Sequence, residues 1–312
     1  MKSVRHFLKR QKVSDTFWLR RKDVEPLIRA ALREDEAFAD VTSRAVIPLT
    51  HRVKAQIIVK SPGVLAGGPI AVWTLHAVDP SLRCVLKMKE GAPLHKGQPI
   101  LTVEGSTRSL FAAERVALNL LGHLSGIATL TQAFVKQVRG TRAQILDTRK
   151  TLPGLRLVEK YAVRVGGGHT HRSSLAEAIL IKTNHLVACG MRDAECGTAI
   201  EKSIAQAKRV RPKRFVEIEV TDLCEFQAAL CAKSDAILLD NWTLPSIRQA
   251  ILLRNSALRI PHSALLLEVS GGVTLANVRA IAQTGVDRIS IGRLTHSAPS
   301  LDVSLQVAGV IR

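Results

Sequence analysis

The sequence predicts an α/β protein in two parts: an α+β domain, then a parallel sheet of repeated βα units forming a smaller or incomplete barrel. Three observations predict it. From about residue 143, short apolar runs alternate with longer amphipathic stretches, the spacing of βα units. Polar residues gather at the C-terminal ends of those runs, where a barrel places its active site. The first third alternates at period two and is punctuated by Pro and Gly, a pattern of antiparallel strands and hairpins. A full eight-unit barrel usually needs ~250 residues, more than this region holds. A doubly wound open sheet is the alternative, and it too puts ligands at strand C-termini.

In chain order, DVEPLIRAALREDEAF (23–38) predicts a helix with Pro26 near its start. HRVKAQIIVKSPGVLAGG (51–68) reads as strands, and LRCVLKMKEGAPLHKGQPILTVEG (82–105) as hairpins around Gly91 and Gly97. FAAERVALNLLGHLSGIATLTQAFVKQV (111–138) is helical, with a break expected at Gly122 and Gly126. That break places the domain boundary: 1–124 with 299–312 form one domain, and 125–298 the other. The six apolar runs that follow are AQILD, AILIK, FVEIEV, AILLDN, LLLEVSGG and RISIG. Between them lie helical stretches such as GTAIEKSIAQAKRV and TLANVRAIAQTG. The final SLDVSLQVAGVIR (300–312) reads as a strand that can return to the first domain.

Composition narrows the function. The 312 residues are 46% hydrophobic, enough for a sizeable core, and no apolar run reaches the ~20 residues of a membrane span. The N-terminal MKSVRHFLKRQKVSD is basic but lacks an apolar signal core, and reads as a short basic extension. Five scattered cysteines, without a C-x-x-C pair, point to a reducing cytoplasm and away from disulfides or a zinc site. The formal charge of +19 draws anions, whether nucleic acid, anionic lipid or phosphorylated metabolites. Aromatic residues at 4% are poor material for base stacking, so nucleic acid is not the expected partner.

Period-two alternation puts Glu217 and Glu219 of FVEIEV on one face of a strand. Inside a barrel such carboxylates need cations or metal; on an edge strand they would be solvated. Glu219 and Asp240, at two strand ends, suit a Mg²⁺ held by few carboxylates and by substrate phosphates. Ser270, Gly271 and Gly272 end one strand and Gly292 follows another, as in phosphate-binding turns ahead of helix N-termini. Arg149 and Lys150 follow AQILD, Arg172 follows a triple-glycine turn, and Lys182 ends AILIK. Arg156, Lys160 and Arg164, four apart, read as the solvated side of a helix. His169-x-His171, with Lys182, His185 and Asp240, matches a hydrolase metal motif only without its strand context.

Taken together, EDEAFADVTS, ERVALNLLGHLSGIAT, DTRKTLPGLR, GGGHTHR, LIKTNH, VEIEV, LLDN, EVSGG and GVDRISIGRLTHSAPSLDVSL occur in this order. Over roughly residues 24–306 they resemble the quinolinate phosphoribosyltransferase family. The resemblance implies an N-terminal α/β sandwich and an incomplete α/β barrel. It also implies a reaction: quinolinate and phosphoribosyl pyrophosphate give nicotinate mononucleotide, pyrophosphate and CO₂, with Mg²⁺. By motif, Arg115 would reach the active site of a neighbouring subunit in a homodimer. Thr148, Arg149, Lys150, His171, Arg172 and Lys182 would surround quinolinate, with Lys150 and Lys182 also in the chemistry. Glu219 and Asp240 would lie near Mg²⁺ and ribose, and Ser270, Gly271, Gly272, Ile291, Gly292 and Arg293 would hold phosphate. Three positions depart from the family: the acidic N-terminal motif lacks its usual glycine, Thr183 replaces a frequent acid, and Arg293 stands where a small residue is common. The competing readings are a molybdenum-transport accessory branch of the same fold with another substrate, and a non-catalytic polyanion binder.

Overall fold

The structure, a computed structural model, describes residues 19–189, 196–258 and 265–311. The basic N-terminal extension lies outside them. The described residues form two compact units: one built from 19–132, Lys150–Gly167 and 293–311, the other from Ala133–Arg149 and Gly168–Gly292.

In the first unit, helix α1 (Arg21–Glu34) buries Val24, Ile28 and Leu32, a stripe at helical spacing. It ends four residues earlier than expected, ahead of Glu36 in the left-handed region at φ 47°. A short helix, α2 (Val41–Val46), is capped by Asp40, which accepts the Ser43 amide. Strands β1 (Arg52–Val59), β3 (Arg83–Leu86), β5 (Pro99–Ser106) and β12 (Val303–Ile311) form an antiparallel sheet in the order β12-β1-β5-β3. The C-terminal strand does return to the first domain, beside β1. A small pair joins β2 (Gly63–Val64) to β4 (Pro93–Leu94). The buried side of β1 (Val53, Ala55, Ile57, Val59) packs with Ala71 and Leu75 of α3 (Gly68–Val78) and with Leu110, Ala117 and Leu121 of α4 (Thr107–Gln137). This layering of sheet and helices is the expected α/β sandwich.

Helix α4 corrects the sequence reading. It runs unbroken through Gly122 and Gly126. The glycines serve close approach: a Cβ at Gly122 would stand 2.7 Å from the Leu301 carbonyl oxygen, and one at Gly126 2.1 Å from that of Pro299. Gly126→Ala is therefore expected to cost about 1–3 kcal/mol of stability, as overpacking against backbone does. Thermal unfolding checks it; an unchanged midpoint would contradict the contact.

The segment Lys150–Gly167 also departs from expectation, since it clusters with the first unit and not with the barrel. Its helix α5 (Arg156–Val165) explains why. Tyr161 donates a short hydrogen bond to Glu90, Glu159 pairs with His123 of α4 at 2.9 Å, and Gly166 lies against Ala128 and Thr131. Lys160 is 3% exposed and burial lowers the pKa of Arg164. The solvated reading of this helix fails because its apolar and polar faces both meet protein.

The second unit holds a six-stranded parallel sheet: β6 (Gln144–Leu146), β7 (Ile179–Ile181), β8 (Val216–Val220), β9 (Ala236–Asp240), β10 (Leu266–Ser270) and β11 (Arg288–Ser290). All six apolar runs became strands. Their order is β6-β11-β10-β9-β8-β7. Beyond β6, His169 makes one parallel bridge to Leu146. Among the described residues no pairing joins that segment to β7, so the barrel is incomplete. Helices α6 (Thr183–Ala188), α7 (Cys196–Arg209), α8 (Leu223–Cys231), α9 (Leu244–Leu258) and α10 (Val278–Ala282) connect the strands. The last is shorter than expected: a turn held by Asn277 and Thr274, not a helix, follows Gly272. A four-residue helix, α11 (Arg293–His296), follows β11 and belongs to the first unit.

Candidate active site

Parallel strands bring their C-terminal ends to one edge of the sheet, and the polar residues predicted there arrive together. Asp147 is fully buried at the end of β6 and accepts the His171 amide at 2.8 Å. This bond ties the GGGHTHR turn to DTRK. Arg172 is 6% exposed, and its Nη1 donates to the Ala178 carbonyl at 2.9 Å. Burial lowers its pKa first, and the nearby Arg149 guanidinium lowers it further. Two like charges held close, one of them desolvated, make a site that an anion relieves.

Next along the edge, Glu219 of β8 is 8% exposed. Lys182 Nζ donates to it at 2.9 Å, and the Thr183 amide and hydroxyl approach its other oxygen at 3.4 and 3.3 Å. Thr183, the departure from the family pattern, thus braces Glu219. Lys182 is half exposed, because β7 is the terminal strand of the sheet. Interior placement of β8 excludes the solvated edge reading of FVEIEV: all five residues of VEIEV are buried.

Asp240 ends β9 in register with Ser270 of β10. Asn241, at φ 60°, donates its side-chain amide to Asp240 and its backbone amide to the Ser270 carbonyl. Gly271 and Gly272 follow at φ 88° and 58°. A Cβ at Gly271 would lie 2.1 Å from Asn241 Oδ1, so this turn needs glycine. With no side chains, the two glycines leave this turn's backbone open to close approach by a phosphate. Ile291 donates its amide to the Leu146 carbonyl beside it, and Gly292 closes β11. Arg115, Lys150 and Arg293 belong to the first unit, and each is exposed there; Thr148, beside Arg149, is half-buried in the second.

Behind this edge the sheet holds a charged layer that sequence reasoning saw only in part. His171 Nε2 meets Glu217 at 2.8 Å and Glu268 at 3.5 Å. Glu268 pairs in register with Arg288, which lies 5.5 Å over the Phe215 ring. Charges inside the runs LLLEV and RIS were the available signal. Burial opposes a charge on the imidazole, but Glu268 and Glu217 override it and raise His171 to about 9. The Arg172 amide donates to Nδ1 at 2.8 Å, which requires that nitrogen to carry no proton, so the arrangement seen here is the neutral ring with its hydrogen on Nε2. In either state Nε2 carries a hydrogen and gives it to Glu217.

Glu268 is pushed up to about 7 by burial first and then by Glu217. The folded chain therefore keeps a proton that the unfolded chain releases near 4.5, and stability falls as pH rises through that window. Glu268→Gln removes the slope. The variant is expected to gain on the wild type by about 1–3 kcal/mol between pH 4.5 and 8; a pH-independent difference in thermal midpoint would contradict this.

Two family models match the chain: quinolinate phosphoribosyl transferase, N-terminal domain, over residues 40–125, and C-terminal domain, over residues 127–306. The chain is 42% identical over 283 residues to the nicotinate-nucleotide pyrophosphorylase (carboxylating) of Mycobacterium leprae, covering 90% of this chain and 95% of that one. It is 37% identical over 293 residues to the quinolinate phosphoribosyltransferase (decarboxylating) 1 of Nicotiana glauca, covering 91% and 82%. Among solved structures it is similar to NadC from Streptococcus pyogenes, with a TM-score of 0.84 and 37% identity, covering 95% and 99%. The nicotinate-nucleotide pyrophosphorylase from Francisella tularensis gives 0.83 and 34%, covering 93% and 98%.

Proposed function

The chain belongs to the quinolinate phosphoribosyltransferase family, and from that premise we infer that it makes nicotinate mononucleotide. Phosphoribosyl pyrophosphate gives its phosphoribosyl group to the ring nitrogen of quinolinate, and pyrophosphate and CO₂ leave. The reaction feeds de novo NAD synthesis. One observation carries this reading: desolvated Arg172 beside Arg149 at one end of the strand edge, with carboxylates and a glycine-built anion turn further along it.

Quinolinate offers two adjacent carboxylates. Charge-assisted hydrogen bonds to such groups contribute about 1.5–3 kcal/mol each, so a ring held by Arg149 and Arg172, with Thr148 and Lys182, is fixed in orientation. The bound ring then needs only to present its nitrogen to ribose C1, a positioning task. Positive charge grows on C1 as pyrophosphate departs, and the Glu219 and Asp240 carboxylates favour it. The turn Ser270–Gly272, with Ile291 and Gly292, receives phosphate. Once the nitrogen is quaternised, it stabilises the electron pair that departing CO₂ leaves on the adjacent ring carbon, and a proton from water then takes the place of the carboxylate; attack by the nitrogen itself requires no general base.

The donor set fits Mg²⁺. Asp240, Glu219 and Ser270 are hard oxygen ligands, and Lys182 already neutralises part of Glu219, which suits an ion held mainly by substrate phosphates and water. When bound, Mg²⁺ would neutralise charge on the leaving pyrophosphate. His171, Glu217 and Glu268 form another group close enough to ligate a metal, but Arg288 and Arg172 already act on Glu217 there as cations.

The enzyme works as a homodimer in this reading, with Arg115 reaching a neighbouring active site. Arg115 stands exposed on α4, and Phe38, Val41, Val46 and Leu49 expose apolar surface on the same unit. Large apolar side chains exposed close together in sequence are the kind that an interface covers. The cytoplasm is its proposed compartment; Cys84, Cys189, Cys224 and Cys231 are free, and no described helix is long and apolar enough to cross a membrane.

The test is an omission assay. Purified protein should release pyrophosphate only when quinolinate, phosphoribosyl pyrophosphate and Mg²⁺ are all present. Turnover with another pyridine but none with quinolinate would overturn the substrate.

A further inference from the structure

Four charged side chains have no direct substrate role in the mechanism above, yet they fill one layer of the parallel sheet. Glu217 on β8 and Glu268 on β10 are 1% and 0% exposed, and Arg288 on β11 is 2% exposed. The fourth, His171, turns its ring toward them. Buried carboxylates so close together carry a desolvation cost that apolar residues would avoid. Their geometry shows what they hold in place. His171 Nε2 donates to Glu217 at 2.8 Å, with Glu268 at 3.5 Å. His171 Nδ1 accepts the Arg172 amide at 2.8 Å, and the His171 amide is held by Asp147 at 2.8 Å. Both ring nitrogens are thus engaged within the protein: the backbone entering Arg172 is hydrogen-bonded to Asp147 just after β6 and, through the ring, to Glu217 on β8, with Glu268 on β10 at ion-pair distance.

We propose that Glu268, acting with Glu217 through His171, is a positioning residue that sets the Arg172 guanidinium for a substrate carboxylate. This rests on the reaction inferred above. His171 then serves as the strut between the interior carboxylates and Arg172, and not as a contact to the ring. Glu219 lies outside this chain of contacts: its partners are Lys182 and Thr183. The phosphate turn lies outside it as well. The network should therefore govern one substrate and not the other.

Steady-state kinetics with each substrate varied in turn test it on the full chain. Glu268→Gln is expected to raise KM for quinolinate about tenfold, while KM for phosphoribosyl pyrophosphate and kcat stay within about twofold, the scale of a misplaced binding group. Glu268→Asp, which keeps the carboxyl group, should recover part of the loss. In an Arg172→Lys background the Glu268→Gln effect should disappear, because the two act in series. Equal changes in both KM values, or no change while the wild type turns over, would overturn the proposal. So would a stoichiometric divalent metal in the purified wild type that is lost in Glu268→Gln. Absence of turnover in the wild type would instead overturn the reaction.

Discussion

Arg172→Ala is expected to lower kcat/KM for quinolinate by at least about a hundredfold, the loss of one bidentate charge-assisted contact. The guanidinium is nearly buried, repelled by Arg149 and anchored on the Ala178 carbonyl. Glu217 offsets only part of the cost of holding this arginine buried beside another, and a bound carboxylate offsets more. Alanine removes one of the two guanidinium partners and leaves Arg149 to bind the anion alone. The fold should persist, since no strand pairing depends on the side chain; circular dichroism checks that. Arg172→Lys keeps the charge but loses the planar fork, so it should restore only part of the activity. Full activity in both variants would refute the site.

Glu219→Gln should act differently. Its carboxylate is held by Lys182 and Thr183 before any substrate arrives, so its charge is already oriented when ribose C1 becomes positive. Such preorganised charge acts chiefly in the transition state. The expected result is a fall in kcat of about 10²–10³-fold with KM for quinolinate changed far less. The glutamine keeps its shape and can still accept from Thr183, which guards the fold. A raised KM with unchanged kcat would assign Glu219 to ground-state binding and contradict this role.

Strand and site were legible to different depths. The βα rhythm named all six parallel strands, because apolar runs of that length at that spacing have few other uses. Edge residues followed from it, since a parallel sheet aligns all its C-terminal ends: Glu219, Asp240 and Ser270 needed no long-range information, whereas the turn carrying Arg172 is tied to the edge by the bond from His171 to Asp147. The failures share one cause. Gly122 and Gly126 read as a helix break because the approach of Pro299 and Leu301 is not visible locally. Lys160 read as solvated because helical spacing tells which residues share a face but not what covers it. Glu268 and Arg288 were passed over inside apolar runs, where the register that pairs them is a property of the folded sheet.

The central claim is chemical, and labelled substrate tests it most directly. Quinolinate carrying ¹³C in the carboxyl beside the ring nitrogen should release all its label as CO₂, one for each pyrophosphate formed, while label in the other carboxyl stays in the mononucleotide. Pyrophosphate formed without labelled CO₂, or CO₂ released without phosphoribosyl pyrophosphate, would contradict the account.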